Sequence, residues 1–357
     1  MNVLILATHL NKGGISRYVI NLAKGLNGLG HKVWVSCSGG EWIEELVRLN
    51  IKHQIIPIKT KSIFSIKIFF SFLILRKLIL KEKIDIVHSN TRVTQYLGFL
   101  LYKILNLPYV SAFHGFHRLS FFRRILKFSG VLSIAVSESV KKHLVKDFGF
   151  NESRVKVVYN GIDTEDFSSH LLKKNCVEFK DSSFFVGILG RVSEEKGQFL
   201  AVEAIKEVSK KFDNIFLLIS GKGRLKEALE HFIKEISIES KVKFYDLDAN
   251  EFLEKVDLLI VPSKKEGFGY SIVEAFIKEV PVIGFNVGGI SEIIKDRQNG
   301  ILFYEYSKTA LSKAIEEIVS NHTLRQKIVA NAKKDIDFYS MKRMADDTEM
   351  VYKEIMK

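Results

Sequence analysis

At 357 residues the chain exceeds one hydrophobic core of ordinary size, so two domains are expected. A composition of 46% apolar and 27% charged residues excludes intrinsic disorder. The net charge of +13 is carried entirely by the first half, with 24 Lys and Arg against 11 Asp and Glu up to Ser168 and 30 against 30 beyond it. An anionic partner, nucleic acid or an anionic membrane surface, is therefore expected on that half alone. Cys37 and Cys176 stand far apart with neither a CxxC spacing nor a histidine partner, which argues against a disulfide scaffold or zinc ribbon and fits a reducing, cytoplasmic setting.

The opening MNVLILATHLNKGG lacks a basic n-region and an A-x-A site, so it reads as a first strand and not as a signal peptide. Residues 3–8 predict that strand, residues 11–14 a glycine turn, residues 16–29 a helix with Ser16 as candidate N-cap, and residues 32–36 a second strand. This is the opening of a nucleotide-binding unit. The turn is N-K-G-G and not G-x-G-x-x-G, and no acidic residue follows the second strand, which counts against a dehydrogenase.

Residues 63–80 are apolar nearly all round, yet Lys67, Arg76 and Lys77 make them a poor membrane span. They read equally as a helix packed on a sheet and as a Phe-rich, cation-edged contact with a membrane surface. A strand at 84–88 ends in His88-Ser89-Asn90, and another at 109–113 ends in His114-Gly115. His114-x-x-His117 could be a metal pair or structural. Residues 116–128 interleave aromatics with His117, Arg118, Arg123, Arg124 and Lys127, which suits a solvated helix or a headgroup contact. With no RNP, KH or zinc-finger pattern beside it, no nucleic-acid partner is expected. Strands at 131–136 and 155–159, a turn at Asn160-Gly161-Ile162-Asp163 and a polar linker at 164–183 close the first half.

The second half opens as the first did, with a strand at 184–189, a loop at 190–197 in which Ser193 is positioned to cap a helix holding Lys196 in its first turn, and a helix at 198–212. A strand at 215–220 is closed by Gly221-Lys222-Gly223, and a helix runs from about Leu225. Residues 242–245 lead into Asp246-Leu247-Asp248, a D-x-D that either binds a divalent ion or caps the next helix. The buried run 256–261 is broken by Pro262, Ser263 and two lysines, and Gly267-Phe268-Gly269 makes a loop. A helix follows from about Ser271, where Ser271-Ile272-Val273-Glu274 has the form of a capping box. Pro281 stops it, residues 282–285 form a strand, and Gly288-Gly289 leads to Ser291-Glu292. Two strand–loop–helix units thus aim a helix start and a carboxylate at one edge of a parallel sheet, where ligands of such sheets bind. Residues 333–357 predict a long amphipathic helix with Phe338, Met341, Met344 and Tyr352 inward.

The order E-x7-E from Glu266 to Glu274 across a G-F-G loop, then P-V-I, then G-G-x-x-E, preceded by G-R-x-x-x-x-K-G at 190–197, resembles the retaining glycosyltransferases of the GT-B fold, family 4. The resemblance covers nearly the whole chain. It implies an α/β fold of two Rossmann-like, doubly wound parallel-sheet domains facing a central cleft. Residues 1–168 would form the acceptor side, residues 169–336 would bind a nucleotide-sugar donor, and residues 337–357 would return as a helix to the first domain. Departing nucleotide diphosphate must be stabilised by fixed cations and helix ends. In the resemblance Arg191, Lys196, Gly190 and the Gly13-Gly14 turn do this, an arginine fork and a lysine charge bracketing the diphosphate. It implies that Glu266 and His114 act at the donor sugar and reacting centre, and that Glu274 accepts hydrogen bonds from the ribose diol. Gly267, Phe268, Gly269, Tyr270 and Ser271 would line the sugar and phosphate, with His88, Asn160 and Glu292 as further candidates.

The implied reaction retains anomeric configuration and needs no cofactor and no metal, since D-x-D metal sites belong to the GT-A class. The implied partners are a nucleotide-sugar donor, most readily a UDP-sugar, a lipid-linked, lipopolysaccharide or polysaccharide acceptor, and an anionic membrane surface met by the basic, Phe-rich first half. That location is peripheral, on the inner face of the cytoplasmic membrane. A UDP-sugar 2-epimerase of the same fold and a non-catalytic nucleotide- or membrane-binding protein are the alternatives. Two positions depart from the family pattern: Glu279 stands where a glycine is usual, and Gly221-Lys222-Gly223 where an acidic residue is usual between the glycines.

Overall fold

In the computed structural model, which describes residues 1–60, 62–119, 125–164, 167 and 183–357, the apolar runs become parallel strands of two sheets. The chain divides into one unit of Met1–Ile162 with Tyr339–Lys357 and another of Asp163–Phe338. Arg123, Arg124, Cys176 and most of the linker expected at 164–183 lie outside the described residues.

Among the described residues the first unit holds β1 (Asn2–Leu6), β2 (Lys32–Cys37), β3 (Lys52–Ile55), β4 (Ile86–Ser89), β5 (Tyr109–Phe113), β6 (Leu132–Ala135) and β7 (Val155–Val157). Their order is β3-β2-β1-β4-β5-β6-β7, each pair parallel. Val3 to Leu6 are fully buried at successive positions, which requires cover on both faces of the sheet and explains why the run is apolar without alternation. Helix Gly14–Gly28 starts at Gly13 with no side-chain cap, and Ser16, expected to cap it, is buried inside the first turn. The glycine turn lets the helix begin two residues before the hydrophobic periodicity does.

Helix Ile66–Glu82 is capped by Ser65, whose Oγ accepts from the Lys67 amide, and it buries Ile68, Ser71, Leu75 and Ile79 along one stripe. Ile66, Phe69, Phe70, Leu73 and Leu80 make a second stripe that stays exposed, beside Phe64 at 83% exposure. No helix among the described residues is long and apolar enough to cross a membrane.

The second unit holds β8 (Phe184–Leu189), β9 (Ile215–Ser220), β10 (Val242–Tyr245), β11 (Leu258–Val261), β12 (Val282–Phe285) and β13 (Ile301–Phe303) in the parallel order β10-β9-β8-β11-β12-β13. Val186, Ile188, Leu217, Ile219, Leu258 and Ile260 of these strands form one core with Ala201 and Ile205 of helix Gln198–Val208, which stops short of the expected residue 212. Helix Tyr270–Ile277 ends at Lys278, and Glu279 takes a left-handed φ of 56°. The glutamate adopts the conformation that suits a glycine there, so the helix end survives the substitution.

The long helix expected at 333–357 is instead helix His322–Asp335, a 3-10 turn Ile336–Tyr339 and helix Met341–Met356. Ser340 must be extended to bridge Ile162, and that interrupts the helix. Phe338 falls in the turn and is 46% exposed, whereas Met344 and Tyr352 are buried as expected and Met341 partly so. The Ile162 amide donates to the Tyr339 carbonyl and its carbonyl accepts from the Met341 amide, both at 2.8 Å, which stitches the last helix to the first unit.

Sheet order reverses between β1 and β4, and again between β8 and β11. Open α/β sheets bind ligands outside the carboxyl ends of such strands. Gly13 follows β1, Asn90 follows β4, Arg191 follows β8 and Pro262 follows β11.

Candidate active site

Four loops at strand carboxyl ends build the site of the second unit. After β8, residues 190–197 contain one 3-10 turn, Glu194–Lys196, so Lys196 precedes helix Gln198–Val208 and does not lie in its first turn. Ser193 makes no side-chain cap. The loop is shaped instead by buried Gln198, whose Nε2 donates to the Arg191 carbonyl at 3.1 Å. Gly197, at φ 76°, passes so close to Pro262 that a Cβ would strike its carbonyl. Positive φ and close approach together require glycine at that position.

The loop after β11 is tied to this one. The Lys264 amide donates to the Glu195 carbonyl at 2.8 Å, and the Tyr306 hydroxyl donates to the Pro262 carbonyl at 3.1 Å. Gly289 closes a third side, its amide donating to the Glu266 carbonyl at 2.9 Å, while a Cβ there would come within 2.6 Å of the Phe268 carbonyl. On the fourth side the Val192 amide donates to the Lys222 carbonyl at 3.1 Å.

Within this frame Lys196 Nζ pairs with Glu266 Oε2 at 2.6 Å, the two side chains being 29% and 16% exposed. Ser263 Oγ donates to the same oxygen at 3.4 Å. Arg191 leaves the end of β8 next to Gly190 with its side chain exposed, and makes no ion pair with Glu194 or Glu195. Gly267 and Phe268 are buried, and the Phe268 ring meets Tyr270 edge-on at 5.3 Å.

Gly269 is the left-handed N-cap of helix Tyr270–Ile277, with no side-chain cap. The capping box expected from Ser271 to Glu274 does not form. The G-F-G turn makes Tyr270 the first helical residue, so Ser271 already has helical backbone and is not the residue that caps. Glu274 is 3% exposed. Glu292 is half-buried in the short helix Ile290–Ile293, its amide donating to the Gly289 carbonyl at 3.3 Å.

The D-x-D acids have structural partners. Asp246 pairs with Lys222 at 2.7 Å, and Asp248 Oδ1 accepts from the Glu251 amide at 3.0 Å, capping helix Ala249–Leu253. Among the described residues no group of three or more His, Cys, Asp or Glu could hold a metal ion.

In the first unit His114 lies partly buried beyond the carboxyl end of β5. Its Nε2 is 3.0 Å from Asn90 Oδ1, and its ring meets Tyr18 edge-on at 4.6 Å. Burial first, and the neighbouring His117 second, push its pKa down to about 3. His88 is wholly buried, with Nδ1 at 2.7 Å from the Tyr352 hydroxyl and Nε2 at 3.2 Å from the Tyr18 hydroxyl. Both its nitrogens are spent on linking β4 to helix Gly14–Gly28 and to the last helix. Burial, then His114, hold its pKa near about 3.

The His117 amide donates to His143 Nε2 at 3.0 Å, and His143 Nδ1 lies 2.5 Å from Asp147. Asn160 is buried, and its Oδ1 has no hydrogen-bond partner among the described residues. Gly13 keeps space open before helix Gly14–Gly28, since a Cβ there would meet nothing within 4 Å. Gln198, Ser263, Tyr306, Tyr18 and Asn90 were not legible as site residues. Gln198 and Tyr306 act through backbone carbonyls and Tyr18 and Asn90 through residues distant in the chain, which leaves no spacing signal; Ser263 reaches Glu266 three residues on, within a loop that has no periodicity.

Residues 12–166 match the family model described as Glycosyltransferase Family 4, and residues 173–335 the one described as Glycosyl transferases group 1. An uncharacterized glycosyltransferase of Methanocaldococcus jannaschii is 27% identical over 376 residues, spanning 97% of this chain and 95% of that protein. The capsular polysaccharide biosynthesis glycosyltransferase CapM of Staphylococcus aureus is 26% identical over 330 residues, 85% of each chain. Among solved structures, Anabaena Alr3699/HepE in complex with UDP-glucose shares the fold, with a TM-score of 0.83 at 20% identity over 99% of this chain and 100% of that one.

Proposed function

The chain belongs to the GT-B glycosyltransferases of the family 4 type, and on that premise we propose that it moves a sugar from a UDP-sugar to a lipid-linked or polysaccharide acceptor, with retention and without a metal. The observation that carries this reading is the 2.6 Å pairing of Lys196 with Glu266, which sets a phosphate-seeking cation beside a carboxylate suited to a sugar. In the free protein the two charges compensate each other. A diphosphate offers Lys196 a stronger partner, shared with the exposed Arg191, and Glu266 is then left to hold sugar hydroxyls and to favour positive charge at the anomeric carbon.

Breaking the anomeric C–O bond transfers its electron pair to the departing UDP oxygen. Arg191, Lys196 and the backbone amides beginning helix Tyr270–Ile277 stabilise that charge. The acceptor hydroxyl attacks from the face the diphosphate leaves, and its proton passes to the leaving phosphate oxygen. Glu274, buried near the start of helix Tyr270–Ile277, accepts from the ribose hydroxyls, and His114 meets the donor sugar. With Asp246 held by Lys222 and Asp248 capping a helix, the cations of the protein take the role a divalent ion has elsewhere.

The exposed stripe of helix Ile66–Glu82, with Phe64, Lys67, Arg76 and Lys77 beside it, supplies the surface by which the enzyme would rest on an anionic cytoplasmic membrane leaflet and reach a lipid-linked acceptor. The test is incubation with UDP-glucose and other UDP-sugars in EDTA, with and without a lipid-linked glycan, following UDP release, product anomer and sugar epimerisation. Acceptor-dependent release with an α-linked product supports the reading. Epimerisation without acceptor would assign a 2-epimerase instead, and nucleotide binding without turnover a non-catalytic protein.

A further inference from the structure

Asn90 follows β4 and is 3% exposed, so every bond its carboxamide makes is made inside the protein. Nδ2 donates to the Leu6 carbonyl at 3.1 Å. A carbonyl carries no hydrogen, so the amino end of the carboxamide must face it and the oxygen must face the other way. That oxygen lies 3.0 Å from His114 Nε2. Because Oδ1 only accepts, Nε2 must carry the ring's hydrogen. Burial and the nearby His117 keep the imidazole neutral, and a neutral ring has one hydrogen, so Nδ1 is bare.

We propose that Asn90 is a positioning residue that locks His114 as its Nε2–H tautomer, so that the ring meets its ligand through Nδ1 as a hydrogen-bond acceptor. This rests on the reading of His114 as a donor-sugar contact. The lock is braced on several sides. The Asn90 amide lies 3.2 Å from the Leu6 carbonyl and 3.1 Å from Thr94 Oγ1, which fixes the residue's backbone. Tyr18 stands edge-on to the His114 ring, and its hydroxyl is engaged with His88. The titratable neighbours, Tyr18, His88 and His117, are an un-ionised phenol and two imidazoles, and none supplies a carboxylate that would draw a proton onto Nδ1. His114 Nδ1 has no hydrogen-bond partner among the described residues. Its ligand group must then bring a hydrogen, which a sugar hydroxyl does and an ionised phosphate oxygen does not.

The proposal is tested on the full chain labelled with 15N-histidine, with the His114 signals identified by their loss in His114→Gln. Long-range 1H–15N spectra between pH 6 and 8 should show a protonated Nε2 and a pyridine-like Nδ1. Asn90→Asp keeps an acceptor, so it should keep the tautomer while raising the pH at which the ring protonates. Asn90→Leu removes the acceptor. It should let the other tautomer appear and weaken UDP-glucose about tenfold, with UDP binding unchanged, because the histidine meets the sugar. An Nδ1–H tautomer in the unmutated protein, or an unchanged tautomer in Asn90→Leu, overturns the lock. If the tautomer responds as stated but UDP-glucose affinity does not, the lock stands and the donor-sugar role of His114 falls.

Discussion

The loops of the second unit and the ring cluster of the first both hold polar groups in fixed positions, by opposite means. Around Lys196 and Glu266 the work is done at the backbone: amide-to-carbonyl bonds, glycines, and the Gln198 and Tyr306 side chains donating to backbone carbonyls clamp four loops, and the charged side chains stay partly open to solvent. Around His88 and His114 it is done by side chains, with Tyr18, Asn90 and Tyr352 closing a network drawn from two helices, β4 and the loops after β4 and β5. The first design leaves charges free to change partners when a ligand arrives. The second fixes protonation and permits little rearrangement.

That contrast predicts where function and stability separate. The largest effect is expected at the ion pair: Lys196→Ala or Glu266→Ala should lower UDP-sugar turnover by ~10²–10³-fold, the scale of one lost transition-state contact. A partly exposed pair contributes at most about 1 kcal/mol to folding, so thermal unfolding should hardly move. Near-normal turnover with a collapsed melting temperature would erase the distinction.

Gly197→Ala puts strain into the frame itself, where a Cβ meets the Pro262 carbonyl at positive φ. Urea unfolding should show a loss of roughly 2–3 kcal/mol, with nucleotide affinity falling alongside.

The ring cluster should reveal itself through pH. His88 and His114 have folded pKa values near about 3, below the roughly 6.5 of an unfolded histidine. Their contribution is therefore complete above about pH 6.5 and lost as pH falls from there towards 3, because the unfolded chain takes up the protons. At pH 5 each ring should remove up to about 2 kcal/mol. A melting temperature that stays flat from pH 7 to 5 would contradict the burial of both rings. The smallest effect is expected at Glu279, held at φ 56°. Glu279→Gly should stabilise by up to ~1 kcal/mol in the same urea assay, since it relieves left-handed strain at the cost of the exposed Lys333 contact.

The two regions also differ in how far the amino-acid sequence announces them. Strands β5, β8, β9 and β12 have the bounds expected from the sequence, because parallel strands buried on both faces are mostly apolar runs. The glycine loops of the second unit are readable for a related reason: glycines forced by close approach, Gly197 and Gly289 among them, fall at fixed spacings. Strand β3 was not expected, since Lys52, His53 and Ile55 are exposed at the sheet edge and show no apolar pattern. The Ser271–Glu274 capping box was a false local signal, overridden by where the G-F-G turn starts the helix. Asn90 and Tyr18 are silent because contacts with residues distant in the chain leave no periodicity. Residues 63–80 are apolar nearly all round apart from Lys67, Arg76 and Lys77, and only packing separates the buried stripe of helix Ile66–Glu82 from the exposed one.

Tyr352 has a further consequence through its bond to His88 and the stitching of Ile162 to Tyr339 and Met341. Residues 339–357 emerge from the ribosome after the whole of the second unit, yet the first unit needs them to finish its interior. During synthesis the portion translated second is thus the one able to complete its fold first, while the amino-terminal portion waits with an unfilled seam. A nascent chain stalled before residue 339 should be protease-resistant over residues 183–338 and still susceptible over residues 1–162.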